Sequence, residues 1–162
     1  SSDVCSSDLS ATLHPRIGKQ LYRGTVDLEA FAAALPRIRH PLTYNGDIFA
    51  EGDYLALKAR FPEIRSWMLG RGILRDPFLP ARIRGKRIDE SEERETLRAF
   101  HDELYARYRA ALHGPRHVLD KMKELWSYLK HRSPGRERDI LRILRAAGLE
   151  DYERAVRLFL DL

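Results

Sequence analysis

Three short clusters carry the residues best suited to chemistry: His14-Pro15-Arg16, Asn45-Gly46-Asp47 and Gly70-Arg71-Gly72. Glycine lets a backbone approach a ligand and turn its N–H groups inward, a helix start behind it favours an anion, and an arginine adds a charge-assisted contact. Together the clusters point to a phosphate-bearing cofactor. Each also has a plainer reading. Asn45-Gly46 is a hairpin signal, Gly70-Arg71-Gly72 suits an ordinary turn equally well, and His14 alone reads as a loop histidine. The ligand reading gains from position, because each cluster closes a short apolar stretch at the corresponding place in three successive βα units. Cys5 has no basic neighbour to lower its pKa and is assigned no function.

The elements that must position these residues follow from periodicity. Ala11-Thr12-Leu13, Leu42-Thr43-Tyr44 and Trp67-Met68-Leu69 are too short for helices and are bounded by turn residues, which predicts buried parallel strands. Between them lie two helical patterns: residues 26–35, with Leu28, Phe31 and Leu35 in phase, and a run through Tyr54, Leu55, Leu57 and Phe61 that Pro62 ends. Gly52 is an anomaly early in that second helix. Beyond Gly85-Lys86-Arg87 the strand pattern stops. Leu97, Phe100, Leu104, Tyr108 and Leu112 form one apolar stripe, and Val118, Met122, Leu125 and Leu129 a second. Ile140, Leu144 and Ala147 form a third, and Val156 with Phe159 a fourth. His113-Gly114-Pro115, Ser133-Pro134-Gly135 and Gly148 punctuate them. The predicted class is α/β, βα units over residues 10–86 followed by an all-α helical bundle over residues 87–162. In an α/β barrel, chemistry sits where strands end and βα loops begin, which is where the three clusters fall.

Composition bounds the alternatives. With 162 residues and 43% apolar content the chain is not a disordered tail, and +5 of formal charge suits an anionic partner without demanding one. No apolar run approaches the ~18 residues of a membrane helix, and no signal-peptide pattern opens the chain, so a cytoplasmic protein is expected. One cysteine excludes a disulfide framework and a Cys-based metal site. Residues 1–9 differ in composition from the rest and read as an appendage. Back-translated, Ser2 to Leu9 resembles the end of a sequencing-library adapter, which predicts a translated, truncated fragment; a disordered native N-terminus is the alternative.

Between His113 and Arg145 there are nine Lys/Arg and four acids, a balance equal to the net charge of the whole chain. Clustered positive charge positions a phosphate backbone without reading its sequence. Arg116, Lys121, Lys123, Lys130, Arg132, Arg136 and Arg138 are the candidate RNA contacts there, with Arg16 in the first loop; a solvated helix face is the competing reading. Trp126 shares a stripe with Leu119, Met122 and Leu129, so core packing is expected for it rather than base stacking.

Taken together, Leu13-His14-Pro15-Arg16 with Gln20 and Tyr22, Tyr44-Asn45-Gly46-Asp47-Ile48, Met68-Leu69-Gly70-Arg71-Gly72 with Asp76-Pro77-Phe78, and Lys121 to Leu129 resemble the tRNA-dihydrouridine synthases. These are flavin enzymes with a TIM barrel followed by a helical domain, and the likeness runs from about Thr12 to Leu160. The resemblance implies that Asn45, Gly46, Asp47, Gly70 and Arg71 hold the phosphate and ribityl chain of FMN, and that His14 faces the isoalloxazine or the target uracil. It implies reduction of the uracil C5–C6 double bond in tRNA, NADPH as reductant, and a monomer when full length. The family's cysteine general acid and flavin-holding lysine have no counterpart in the 162 residues. A TIM barrel alone takes ~250 residues, so the expectation is the last three βα units of the barrel plus the helical tail, inactive alone. The alternatives are another FMN-binding barrel oxidoreductase acting on free pyrimidines, and a non-catalytic RNA-binding helical module.

Overall fold

The computed structural model describes residues 9–161. The adapter-like reading of residues 1–9 lies outside them except for Leu9, and Cys5 is among the residues outside. The chain divides between Ile73 and Leu74 into two compact units, ahead of the boundary expected at Lys86.

The first unit is built on three parallel strands in the order β1 (Ala11–Leu13), β2 (Leu42–Asn45), β3 (Ser66–Met68). Parallel neighbours need crossovers, and α1 (Leu28–Ala34) and α2 (Glu51–Arg60) supply them. Register places Leu13 opposite Tyr44 and Tyr44 opposite Trp67. Strand alternation puts this row on one face, where the helices cover it. Phe31 of α1 meets Tyr44 edge-on at 4.9 Å and Phe61 at 5.0 Å, and Tyr54 of α2 meets Trp67 at 5.4 Å. Phe31 and Tyr44 are both fully buried. On the opposite face Thr12, Ser66 and Met68 are exposed.

Helix ends explain the small shifts from expectation. The Asp27 carboxylate accepts the Ala30 N–H at 2.8 Å, so Asp27 caps α1 and the helix starts after it instead of at Val26. Asp53 accepts the N–H groups of Phe49 and Ala50 at 2.9 Å each, closing the start of α2. Gly52 sits in that first turn, where backbone N–H groups lack intrahelical partners in any case, so its weak helix propensity matters little. The third strand begins one residue early because Ser66 pairs with Thr43.

The second unit is helical: α4 (Leu79–Ile83), α5 (Glu90–Ala111), α6 (Pro115–Leu129), α7 (Glu137–Arg145) and α8 (Leu149–Asp161), with the short α3 (Arg71–Arg75) spanning the division. Asp89 caps α5 by accepting the Glu92 N–H at 2.8 Å. Gly114, at φ +88°, makes the turn that a side-chain-bearing residue rarely makes, and Pro115 opens α6. The core collects Leu97, Val118, Met122, Trp126, Ile140, Ile143, Tyr152, Val156 and Phe159 among others. Trp126 is 1% exposed and meets Phe159 edge-on at 5.0 Å, as its stripe predicted. Phe100, expected on the α5 stripe, is 43% exposed. The inward position belongs to its neighbour His101, which a hydrophobicity pattern counts as polar.

His101 is buried because its ring is satisfied. Trp126 Nε1–H donates to the Tyr152 hydroxyl at 2.9 Å, that hydroxyl donates to His101 Nε2 at 2.7 Å, and Nδ1–H donates to Asp102 at 2.8 Å. Each group fills one donor or acceptor role, provided the imidazole is neutral. Burial pushes the His101 pKa down despite Asp102. An unfolded histidine titrates near ~6.5, so the unfolded chain takes up this proton first as pH falls. Stability from His101 is therefore complete above about pH 6.5 and declines below it, toward the depressed folded value. In urea unfolding, wild-type protein should lose more stability than His101→Gln between pH 7.5 and 5.5; equal losses would contradict the neutral, buried ring.

Candidate functional site

The three strands end side by side, and the residue after each apolar row faces the other way. His14 follows Leu13, Asn45 follows Tyr44 in the same strand, and Gly70-Arg71 follow β3 after Leu69. His14 Nδ1 hydrogen-bonds the backbone carbonyl of Asn45, the Nδ1–H donating, which leaves Nε2 available to a ligand.

Asp47 is the hub. One oxygen accepts Arg71 at 2.7 Å and the other accepts Arg16 in a close ion pair. Arg71 also lies 4.4 Å from the Tyr22 ring centroid and 5.4 Å from that of Phe49, both cation–π distances. Its side chain is 24% exposed. The space a Cβ would take at neighbouring Gly70 is open. Two guanidinium groups against one carboxylate leave a net positive charge, so the cluster fits an anionic group such as the phosphate of a nucleotide cofactor.

Gly46 has another reason to be glycine. A Cβ there would collide with the Tyr44 ring and hydroxyl, so the residue makes room for a core side chain of the strand it follows. The buried Tyr44 hydroxyl has no hydrogen-bond partner among the described residues. Burial, reinforced by Asp47 and opposed by Arg16, pushes its pKa up to about 12. A cavity of about 690 Å3 lies at the other ends of the strands beside Leu42 and Ser66 and contains none of the site residues.

These features give the three-cluster pattern a geometry, and comparison with known proteins gives it a family. Residues 10–144 match the family described as dihydrouridine synthase (Dus). The chain belongs to the dihydrouridine synthase family. A tRNA-dihydrouridine(16) synthase of Ralstonia nicotianae is 30% identical over 129 residues, which is 77% of this chain and 38% of that protein. The chain thus spans well under half the length of that relative. Among the described residues no helix is long and apolar enough to cross a membrane, and no cluster of candidate metal ligands occurs.

In this family member the expected RNA-facing cations occupy varied places. Arg116 is 90% exposed beside Asp120 at 3.9 Å, Lys121 pairs with Glu124 at 2.9 Å, and Lys130 and Arg138 are exposed. Lys123 donates to the Ala146 carbonyl at 2.6 Å, capping the end of α7. Arg136 lies 4.2 Å from the Phe159 ring centroid and pairs with Asp139. Arg132 is packed inward against Phe78 at 4.7 Å, ion-paired to Asp76 at 3.3 Å and to Glu93. Arg82 bridges the same two acids. This network ties residues 76–82 to α5 and to the end of α6, so they fold with the helical unit. Arg16 is 2% exposed in its side chain and points inward.

A charged surface that the basic segment supplies only in part lies between α7 and α8. Arg138, Arg142, Arg145 and Arg154 line a groove of about 600 Å3 with Leu141, Leu158 and a single acid, Asp151. Among the described residues no ion pair engages Arg138, Arg145 or Arg154. Arg154 falls outside the segment whose charge excess was visible, and only the packing of α8 beside α7 brings it in.

The collision at Gly46 yields a direct test. Gly46→Ala should destabilise the chain by about 2 kcal/mol, the range for overpacking a filled core. Tyr44→Phe, which removes the nearest colliding atom, should recover part of that loss in the double variant. Urea unfolding of the four proteins measures it, and additive losses would contradict the close approach.

Proposed function

We propose that the three strands and crossover helices of the first unit are the last βα units of an FMN-binding TIM barrel and that the intact gene product reduces uridine in tRNA to 5,6-dihydrouridine. The observation that carries this reading is the convergence of His14, Asn45, Asp47, Gly70 and Arg71 at the same ends of three adjacent parallel strands, in a chain of the dihydrouridine synthase family. Bound FMN, reduced by NADPH, would supply the hydride for the C5–C6 double bond of uracil. Within this chain Arg71 would hold the phosphate through its guanidinium, beside the open approach at Gly70. Asn45 and Gly46 would line the ribityl side, and Asp47 would hold the arginine. His14 would offer Nε2 to the isoalloxazine or the uracil. A cytoplasmic monomer that needs no metal completes the reading.

The helical unit would bind the tRNA. The α7–α8 groove is the better candidate for phosphate contacts than Arg132 or Arg136, whose guanidinium groups already serve Glu93, Asp76 and Asp139. Arginine side chains without acidic partners are the ones whose charge a polyanion can use. Arg116, Lys121 and Lys130 are exposed on the same helical unit.

Purified intact gene product should be yellow and should consume the uracil double bond of unmodified tRNA in an NADPH-dependent reaction. Colourless, inactive protein would refute the reading, and reduction of free pyrimidines alone would point to the other oxidoreductase class. Replacing Arg145 and Arg154 together by Glu should weaken tRNA binding and flatten its salt dependence by about two phosphate contacts. Arg132→Gln should instead lower stability by about 3 kcal/mol, because Glu93 would stay buried with half its pairing. Filter binding across a salt series and urea unfolding separate the two effects; the opposite assignment would contradict the proposed interface.

A further inference from the structure

Arg16 combines a full charge with almost no access to solvent. Its guanidinium donates to the carbonyls of Leu21 at 3.4 Å, Arg23 at 3.1 Å and Gly24 at 3.1 Å, and pairs with Asp47. With its side chain 2% exposed it reaches no external polyanion, so it acts through the groups it holds. The segment it holds is not an easy one. Leu21 sits at φ +49°, in the left-handed region that non-glycine residues rarely occupy, and needs outside contacts to stay there. The next residue is Tyr22, whose ring lies 4.4 Å from the Arg71 guanidinium.

Arg16 therefore reaches Arg71 by two routes. One runs through Asp47, which bonds both arginines, and the other through the 21–24 segment, which carries Tyr22. We propose that Arg16 and Asp47 are positioning residues that fix the Arg71 guanidinium toward a phosphate and couple the 21–24 segment to that anion site. The identity of the phosphate as that of FMN rests on the reading above.

Charge and orientation predict opposite signs, which makes the idea decidable. Neutralising Asp47 raises the net charge of the cluster, so a purely electrostatic role would tighten phosphate binding. A positioning role predicts weakening, because Arg71 loses its charged hydrogen-bond partner and Arg16 loses its link to Arg71.

The test titrates FMN and riboflavin, the same flavin without the phosphate, into the intact gene product and its Asp47→Asn and Arg16→Lys variants, followed by flavin fluorescence. Both variants should bind FMN about tenfold more weakly, with riboflavin affinity changed by less than about twofold. Trypsin should cut after Lys19 and Arg23 faster in Arg16→Lys than in wild type, with or without flavin, because lysine cannot span three carbonyls and a carboxylate. Unchanged or tighter FMN binding by Asp47→Asn overturns the proposal, as does equal weakening for both flavins, which marks general misfolding. Unchanged trypsin cleavage in Arg16→Lys overturns the coupling whichever flavin binds. Wild-type protein that binds FMN no more tightly than riboflavin refutes the FMN-phosphate reading itself, a result distinct from all of these.

Discussion

The alternation of side chains along three short parallel strands governs everything at the site. Leu13, Tyr44 and Trp67 form a row fixed by register, and Phe31 and Phe61 bury its centre under the crossover helices. A slip of one residue would turn that row to the uncovered face. With the row fixed, the chain leaving each strand is directed to one end of the sheet, and His14, Asn45 and Asp47 meet there. The tight packing extends into the turn itself, since Gly46 yields its side-chain space to the Tyr44 ring. Core and site are therefore coupled through one residue pair.

Upon that frame Asp47 organises charge. It satisfies two arginines that would otherwise repel each other, and it leaves their surplus charge on the more accessible one, Arg71. A carboxylate beside a phosphate site would be unfavourable alone; paired twice, it becomes a support. The helical unit uses the same device differently. Glu93 and Asp76 engage Arg82 and Arg132, which fastens a connecting segment to α5 and removes those arginines from the pool available to a polyanion.

Strand and helix identity was legible because the apolar periods are strong and Pro62, Gly114, Pro115 and Gly148 punctuate them. The three site clusters were legible because βα connectivity places successive strand ends together. Three things were not. His101 entered the core through hydrogen bonds that join residues 101, 126 and 152, which no local pattern encodes. Arg16, Arg132 and Arg136 are candidate RNA contacts by sequence but spend their charge on internal partners, a distinction that requires side-chain contacts. The α7–α8 groove needed Arg154 from beyond the basic segment, supplied only by helix packing.

Arg71, held by Asp47 at the end of the parallel sheet, is proposed to receive the phosphate of a flavin nucleotide. Phosphorus-31 NMR of FMN added to the intact gene product reads that contact directly. Wild-type protein should show one bound resonance shifted from free FMN, and Arg71→Gln a resonance near the free position at saturating flavin. A bound resonance identical in the two proteins would contradict it.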